Sequence, residues 1–148
     1  MYKRAPFFLF VLLAFACDNN PMSSNSEMST PAELVGDWTL EGIESPNPAM
    51  QDSSFDDMDY RESYSFKDDG TFVKSRQDGT SADGTVSVRE TEEGDYYILS
   101  YSSDAPVELL SSCQSGEESL KIEGEKLIND SRMCDRPRYT YSRSGNEK

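Results

Sequence analysis

Residues 60–76 read YRESYSFKDDGTFVKSR. Tyr60, Tyr64 and Phe66 fall on one side of an extended chain, and Arg61, Ser63 and Ser65 fall on the other. That period of two marks a half-buried strand. Lys67-Asp68-Asp69-Gly70 follows as a turn, with glycine where a positive φ is needed. Residues 71–76 then return as the partner strand. This hairpin is the unit from which the flanking chain can be read.

Toward the C-terminus the same grammar repeats. Residues 77–83 are polar turn chemistry, and 84–91, GTVSVRET, form a strand with Val86 and Val88 on one face. Glu92-Glu93-Gly94 turns it into 95–101, DYYILSY, which is apolar on both faces and is expected to be the most buried strand. Residues 106–112 and 118–123 follow as strands, the second with Leu120 and Ile122 alternating. Gly124-Glu125 turns into 126–131, and Tyr139, Tyr141 and Arg143 alternate in a last strand. Toward the N-terminus, residues 45–59 are a long acidic loop with Pro46 and Pro48. The first strand, 36–44 or GDWTLEGIE, puts Trp38 and Leu40 on one face. Thr30-Pro31-Ala32-Glu33 matches a capping box, which predicts one helical turn ahead of it.

The pattern gives about eight or nine short strands at roughly ten-residue spacing, with no long helical period after residue 34. The expected fold is all-β, an antiparallel barrel or sandwich. Closure into a barrel removes the edge strands that invite aggregation.

Composition narrows the function. The 148 residues carry 14 Lys and Arg against 28 Asp and Glu, a net charge of −14. That argues against a nucleic-acid partner, which needs clustered positive charge. Without histidine there is no imidazole base and no His-containing zinc site. No Gly-x-Ser-x-Gly elbow occurs. Acidic residues this frequent fall near one another without forming a glycosidase pair. The expectation is a non-enzymatic protein with no cofactor and no metal. Asp52, Asp56, Asp57 and Asp59 offer oxygen ligands, but their spacing fits no EF-hand loop, and a solvated acidic loop is the simpler reading. Asp68-Asp69-Gly70, Asp78-Gly79 and Asp83-Gly84 read as turns.

Residues 1–17, MYKRAPFFLFVLLAFAC, begin with Lys3 and Arg4, and then run apolar from Phe7 to Ala16. A run this short suits a signal-peptide core better than a membrane span, which needs about 20 residues. The end of the run, with Ala14 and Ala16 before Cys17, resembles a bacterial lipobox, although Phe15 is bulkier than usual at its place. The resemblance implies that 1–16 are removed and that Cys17 is acylated and becomes the new N-terminus, a membrane anchor through palmitate-type chains. Each buried CH₂ contributes about 0.8 kcal/mol, so two or three chains hold firmly. The alternative is an uncleaved anchor or an ordinary signal cut nearby. Residues 18–30 are Ser- and Asn-rich, with two Met as their only large apolar side chains, so they read as a tether that spans about 20 Å as a coil. The body after residue 16 holds 12 basic and 28 acidic groups, a net of −16. Anionic head groups repel it, leaving the lipid as the membrane contact. The expected place is the bacterial envelope, at the outer membrane or cell surface.

Leu34-Val35-Gly36-Asp37-Trp38 has the Gly-x-Trp spacing that begins the first strand of lipocalins. With residues 64–72, 84–86 and 141–143, it makes 33–143 resemble the small lipocalin-like domains of bacterial lipoproteins. That resemblance implies an up-and-down barrel of about eight strands over 31–148, preceded by one short helical turn. It also implies that an Arg of the last strand packs over Trp38, with Arg143 the candidate ahead of Arg138. The bland alternative is a Trp that simply fills the barrel base. The chain departs from the pattern in being shorter than a full lipocalin and in showing no clear helix after its last strand.

Once Cys17 is assigned to lipid, Cys113 and Cys134 remain, and in an oxidising compartment they are expected to pair. Closing a loop of that length stabilises by roughly 3 kcal/mol on the chain-entropy model. A redox or metal role is the alternative, though no C-x-x-C spacing supports it.

Two functions stay open. Tyr64, Phe66, Phe72, Tyr97, Leu99, Tyr101, Tyr139 and Tyr141, with Leu120 and Ile122, either line a cavity for a small apolar or amphipathic ligand or pack as core. In the second case the barrel is a filled scaffold that binds a protein partner through its acidic surface or the loop 45–59.

Overall fold

The computed structural model describes residues 29–47, 53–54, 61–114 and 116–145. Cys17, the tether before residue 29, Tyr60 and the four acids Asp52, Asp56, Asp57 and Asp59 lie outside the described residues. Among the described residues nine strands form one antiparallel sheet. They are β1 (Gly36–Glu44), β2 (Ser53–Ser54), β3 (Glu62–Phe66), β4 (Thr71–Arg76), β5 (Ser81–Thr91), β6 (Gly94–Tyr101), β7 (Glu117–Glu123), β8 (Lys126–Asp130) and β9 (Arg138–Arg143). From β3 to β9 each strand pairs with the next, and β1 pairs with both β3 and β9. That closes an eight-stranded up-and-down barrel. The two-residue β2 adds to β1 beyond the stretch paired with β3. A register shift between Leu40 and Gly42 bends β1 on its β9 side.

Alternation explains what is inside. On β1 Trp38 and Leu40 are buried, on β3 Glu62, Tyr64 and Phe66, and on β4 Phe72 and Lys74. Tyr97 and Leu99 of β6, Leu120 of β7, Leu127 of β8 and Tyr141 of β9 complete the buried cluster, with Ile43, Tyr101, Ile122 and Tyr139 packed against it. Residues 97–99 of β6 are buried in succession, so both faces of its middle are covered. β5 and β6 run past the barrel as a hairpin, which leaves Val88 at 42% exposure although Val86 beside it is buried.

Three local expectations need correction. Residues 106–112 are not a strand. They hold a 3-10 turn, Val107–Leu109, in which Leu109 and Leu110 donate to the Pro106 and Val107 carbonyls. β6 pairs directly with β7, so the closed ladder offers no edge for another strand there. Asp83-Gly84 is not a turn but lies inside β5, opposite Val73 and Phe72. Gly84 is required by close approach: a Cβ there would sit 2.1 Å from the Ser100 carbonyl oxygen and 2.8 Å from the Phe72 ring.

The third concerns the capping box. A single turn does precede β1, with Leu34 and Val35 both donating to the Pro31 carbonyl. The Thr30 hydroxyl has no partner among the described residues, and Glu33 accepts instead from the Tyr97 hydroxyl at 3.1 Å. Tertiary contact with β6 has outcompeted the local cap.

Candidate functional site

The barrel has two differently built ends, and the site residues divide between them. At the base, where β1 begins and β9 ends, Trp38 donates from Nε1 to the Leu34 carbonyl at 2.9 Å. The Arg143 guanidinium lies 4.5 Å from the centre of the Trp38 ring, and it donates to the carbonyls of Val35 and Glu33. Trp38 and Arg143 are opposite one another in the β1–β9 ladder, so register alone brings them together. Arg138 sits at the other end of β9 and pairs with Glu123 and Glu44. Tyr97, through Glu33, ties the entry turn to the wall, and burial with that carboxylate pushes its hydroxyl up to about 12. A cavity of about 330 Å³ opens beside this base, with Glu33, Glu125, Lys126 and Arg143 among its walls.

Aromatic rings occupy the middle of the barrel. Tyr64 meets Tyr141 edge-on at 4.9 Å and stacks on Phe66 at 5.5 Å; Phe72 meets Tyr101 edge-on at 5.0 Å and Phe66 at 6.0 Å. Of the residues expected to line a cavity, Tyr64, Phe66, Phe72, Tyr97, Leu99 and Tyr141 are buried among one another. Tyr101 and Tyr139 are partly buried against them.

Above the rings lies a charged cluster that the sequence reading passed over. Lys74 Nζ is 3.1 Å from Glu62 Oε1 and 3.1 Å from Glu118 Oε1, and all three side chains are fully buried. Arg76 Nε donates to Glu62 Oε2 at 3.1 Å. Two carboxylates thus face two cations, which is how buried charge is tolerated. Phenols complete both carboxylates: Tyr141 donates at 2.7 Å to Glu62 Oε1, the oxygen that also faces Lys74, while Tyr101, at 2.7 Å, and Tyr64 donate to Glu118 Oε2. Burial, with the adjacent carboxylates adding to it, raises the Tyr64, Tyr101 and Tyr141 hydroxyls well above the usual tyrosine range.

The signal for this cluster was present. Glu62 is in phase with Tyr64 and Phe66, Lys74 with Phe72, and Glu118 with Leu120, each two residues apart. A charged residue on the inward phase is the mark of a buried pair.

The cluster also fastens a cover. Lys74 Nζ donates to the Leu109 carbonyl at 2.7 Å, and the Ser111 amide donates to Glu118 Oε1. Arg76 and Arg136 donate to the carbonyls of Glu108 and Leu110. Cys113 and Cys134 form a disulfide with Cα atoms 5.8 Å apart, joining this β6–β7 connection to the one between β8 and β9. Chemically the arrangement is a neutralised, hydrogen-bond-saturated plug.

No family model matches the chain, and no curated protein matches it. Solved structures to which it is similar include an uncharacterized protein from Bacteroides eggerthii, at 16% identity over 74% of this chain and 98% of that one, with a TM-score of 0.46. They also include a lipoprotein YedD from Klebsiella pneumoniae, at 18% identity over 82% of each chain, with a TM-score of 0.39.

Proposed function

We propose that the chain is a lipid-anchored protein of the bacterial cell envelope, at the outer membrane or cell surface, whose barrel is a filled, non-enzymatic scaffold for binding another protein. The observation that supports the scaffold reading is the occupied interior. A small apolar or amphipathic molecule entering it would have to part rings already in contact and lie against Glu62, Lys74 and Glu118, whose polar atoms are committed to one another. Recognition then falls to the outside. A body of net charge −16 after residue 16 attracts a basic partner over distance, and salt screens that attraction. The lipobox-like end at Cys17 supports the anchor.

Each half has its own experiment. Expressed in a bacterial host with an alkyne analogue of palmitate, the full chain is labelled and Cys17→Ser is not; equal labelling of both refutes the anchor. Photo-cross-linkers at the exposed positions Ser87 and Glu90 capture a basic envelope protein, and capture falls severalfold between about 0.05 and 0.5 M salt. Capture that ignores salt, or no capture at all, refutes the acidic-surface reading.

A further inference from the structure

β6 and β7 are hydrogen-bonded neighbours, as are β3 with β4 and β7 with β8, which are joined by the tight turns 67–70 and 124–125. Here the chain instead makes a long excursion, with 102–114 over the mouth of the barrel. Leu109 at its centre is fully buried, whereas Val107 is 80% exposed. The excursion is fastened in two ways. From below, Lys74 and Glu118 hold its backbone at Leu109 and Ser111. At the rim, Cys113 is bonded to Cys134. The ladder that closes the barrel uses no residue of 102–113.

The two sulfurs are not equivalent. Cys113 is exposed and lines a groove of about 240 Å³ with Ser112, Gln114, Glu117 and Met133, the last of these 92% exposed. Cys134 is half-buried; its sulfur lies 3.1 Å from the Ser131 carbonyl oxygen, and the Cys113 sulfur lies 3.8 Å from the same oxygen. Exchange needs a thiolate to reach one sulfur while the other departs, so access selects Cys113.

We propose that Cys113–Cys134 is a site of thiol–disulfide exchange, and that a dithiol reductant attacking Cys113 unlatches 102–114 from the mouth while the barrel stays folded. A thiolate of the reductant bonds to Cys113 Sγ. The bond to Cys134 breaks, and its electron pair leaves with Cys134, which takes a proton from water. The reductant's second thiolate then attacks its own sulfur in the mixed disulfide. That step forms the reductant's disulfide and releases Cys113, which is protonated in turn. Two electrons pass from the dithiol to the cystine. Without the latch the excursion is held by Leu109 and polar bonds alone, and lifting it uncovers Lys74, Glu118 and the Tyr101 hydroxyl. This inference is independent of the partner proposed above.

Hydrogen exchange followed by mass spectrometry, with and without dithiothreitol at neutral pH, tests it. Amides of 105–114 should exchange about tenfold or more faster after reduction, while β1 and β3 to β9 keep their protection. Unchanged exchange in the fully reduced protein overturns the latch, simultaneous loss across the strands makes the bond a global staple instead, and resistance to dithiothreitol overturns the exchange site. The Cys113→Ser/Cys134→Ser variant should show the fast 105–114 exchange with no reductant and protected strands; slow exchange there counts against the proposal. Glutathione under limiting reduction should be found by peptide mapping on Cys113, and an adduct confined to Cys134 contradicts the assignment of the attacked sulfur.

Discussion

Lys74 on β4 and Glu118 on β7 meet at 3.1 Å across the barrel interior, and neither side chain reaches water. Strands four and seven are not ladder neighbours, so this contact braces the barrel across its bore. Glu62 and Arg76 extend it, and three phenols complete it. The cluster occupies space that a ligand-carrying barrel would leave open.

Removing one partner should be costly. Lys74→Met strands two buried carboxylates with Arg76 alone, and a loss of about 3–5 kcal/mol is expected in urea unfolding. Lys74→Met combined with Glu118→Gln should lose less than the sum of the two single changes, because the double change removes an uncompensated charge. Strict additivity would show that the two residues do not interact.

Alkaline pH should unfold the protein before its buried phenols titrate. Tyr64, Tyr101 and Tyr141 are raised above their unfolded value of about 10. The stability they contribute is full below that value. It falls as pH rises further, because the unfolded chain releases phenolic protons that the native one keeps. Tyrosinate absorbance should therefore show a group of phenols that ionise only together with loss of the barrel's circular dichroism. Smooth titration of every tyrosine near pH 10 in the folded protein would contradict the buried cluster.

At the base, Arg143→Leu removes the cation above Trp38 and the donor to the Val35 and Glu33 carbonyls. A cost of about 1–3 kcal/mol and a shifted Trp38 emission are expected. Arg143→Lys should recover only part, since an ammonium cannot both cover the ring and fork to two carbonyls. An unchanged melting midpoint in Arg143→Leu would make the pair ornamental.

Gly84→Ala should be among the most damaging small substitutions, because its methyl would meet the Ser100 backbone at 2.1 Å. Overpacking of this kind costs about 1–3 kcal/mol or more. Gly79→Ala, with φ of +90° and open space around it, should cost about 1 kcal/mol from backbone strain alone. Equal losses in the two variants would refute the close approach.

Much of this was legible in the sequence, and the reason is local. In β3, β4 and the first half of β1 the period of two coincides with burial, so those strands follow directly from the sequence. What escaped depends on closure. Residues 106–112 have an apolar pattern that suits a strand, and only the pairing of β6 with β7 leaves that strand without an edge. The Thr30 cap lost Glu33 to Tyr97, a residue 64 positions away. Glu62, Lys74 and Glu118 carried the inward phase, but their charges make sense only once β4 faces β7 across the bore. Aromatic alternation by itself fits a lining or a filling equally well, and ring-to-ring distances distinguish them.

The central claim is that the interior is already full. Titrating residues 31–148 with an apolar fluorescent dye and a fluorescent fatty-acid analogue, while following Trp38 emission and thermal midpoint, tests it most directly. The account predicts no saturable binding at micromolar concentrations of about 1–100 μM and no shift in midpoint. Stoichiometric binding displaced by lipid extract, with a raised midpoint, would contradict it and restore the ligand-carrying barrel.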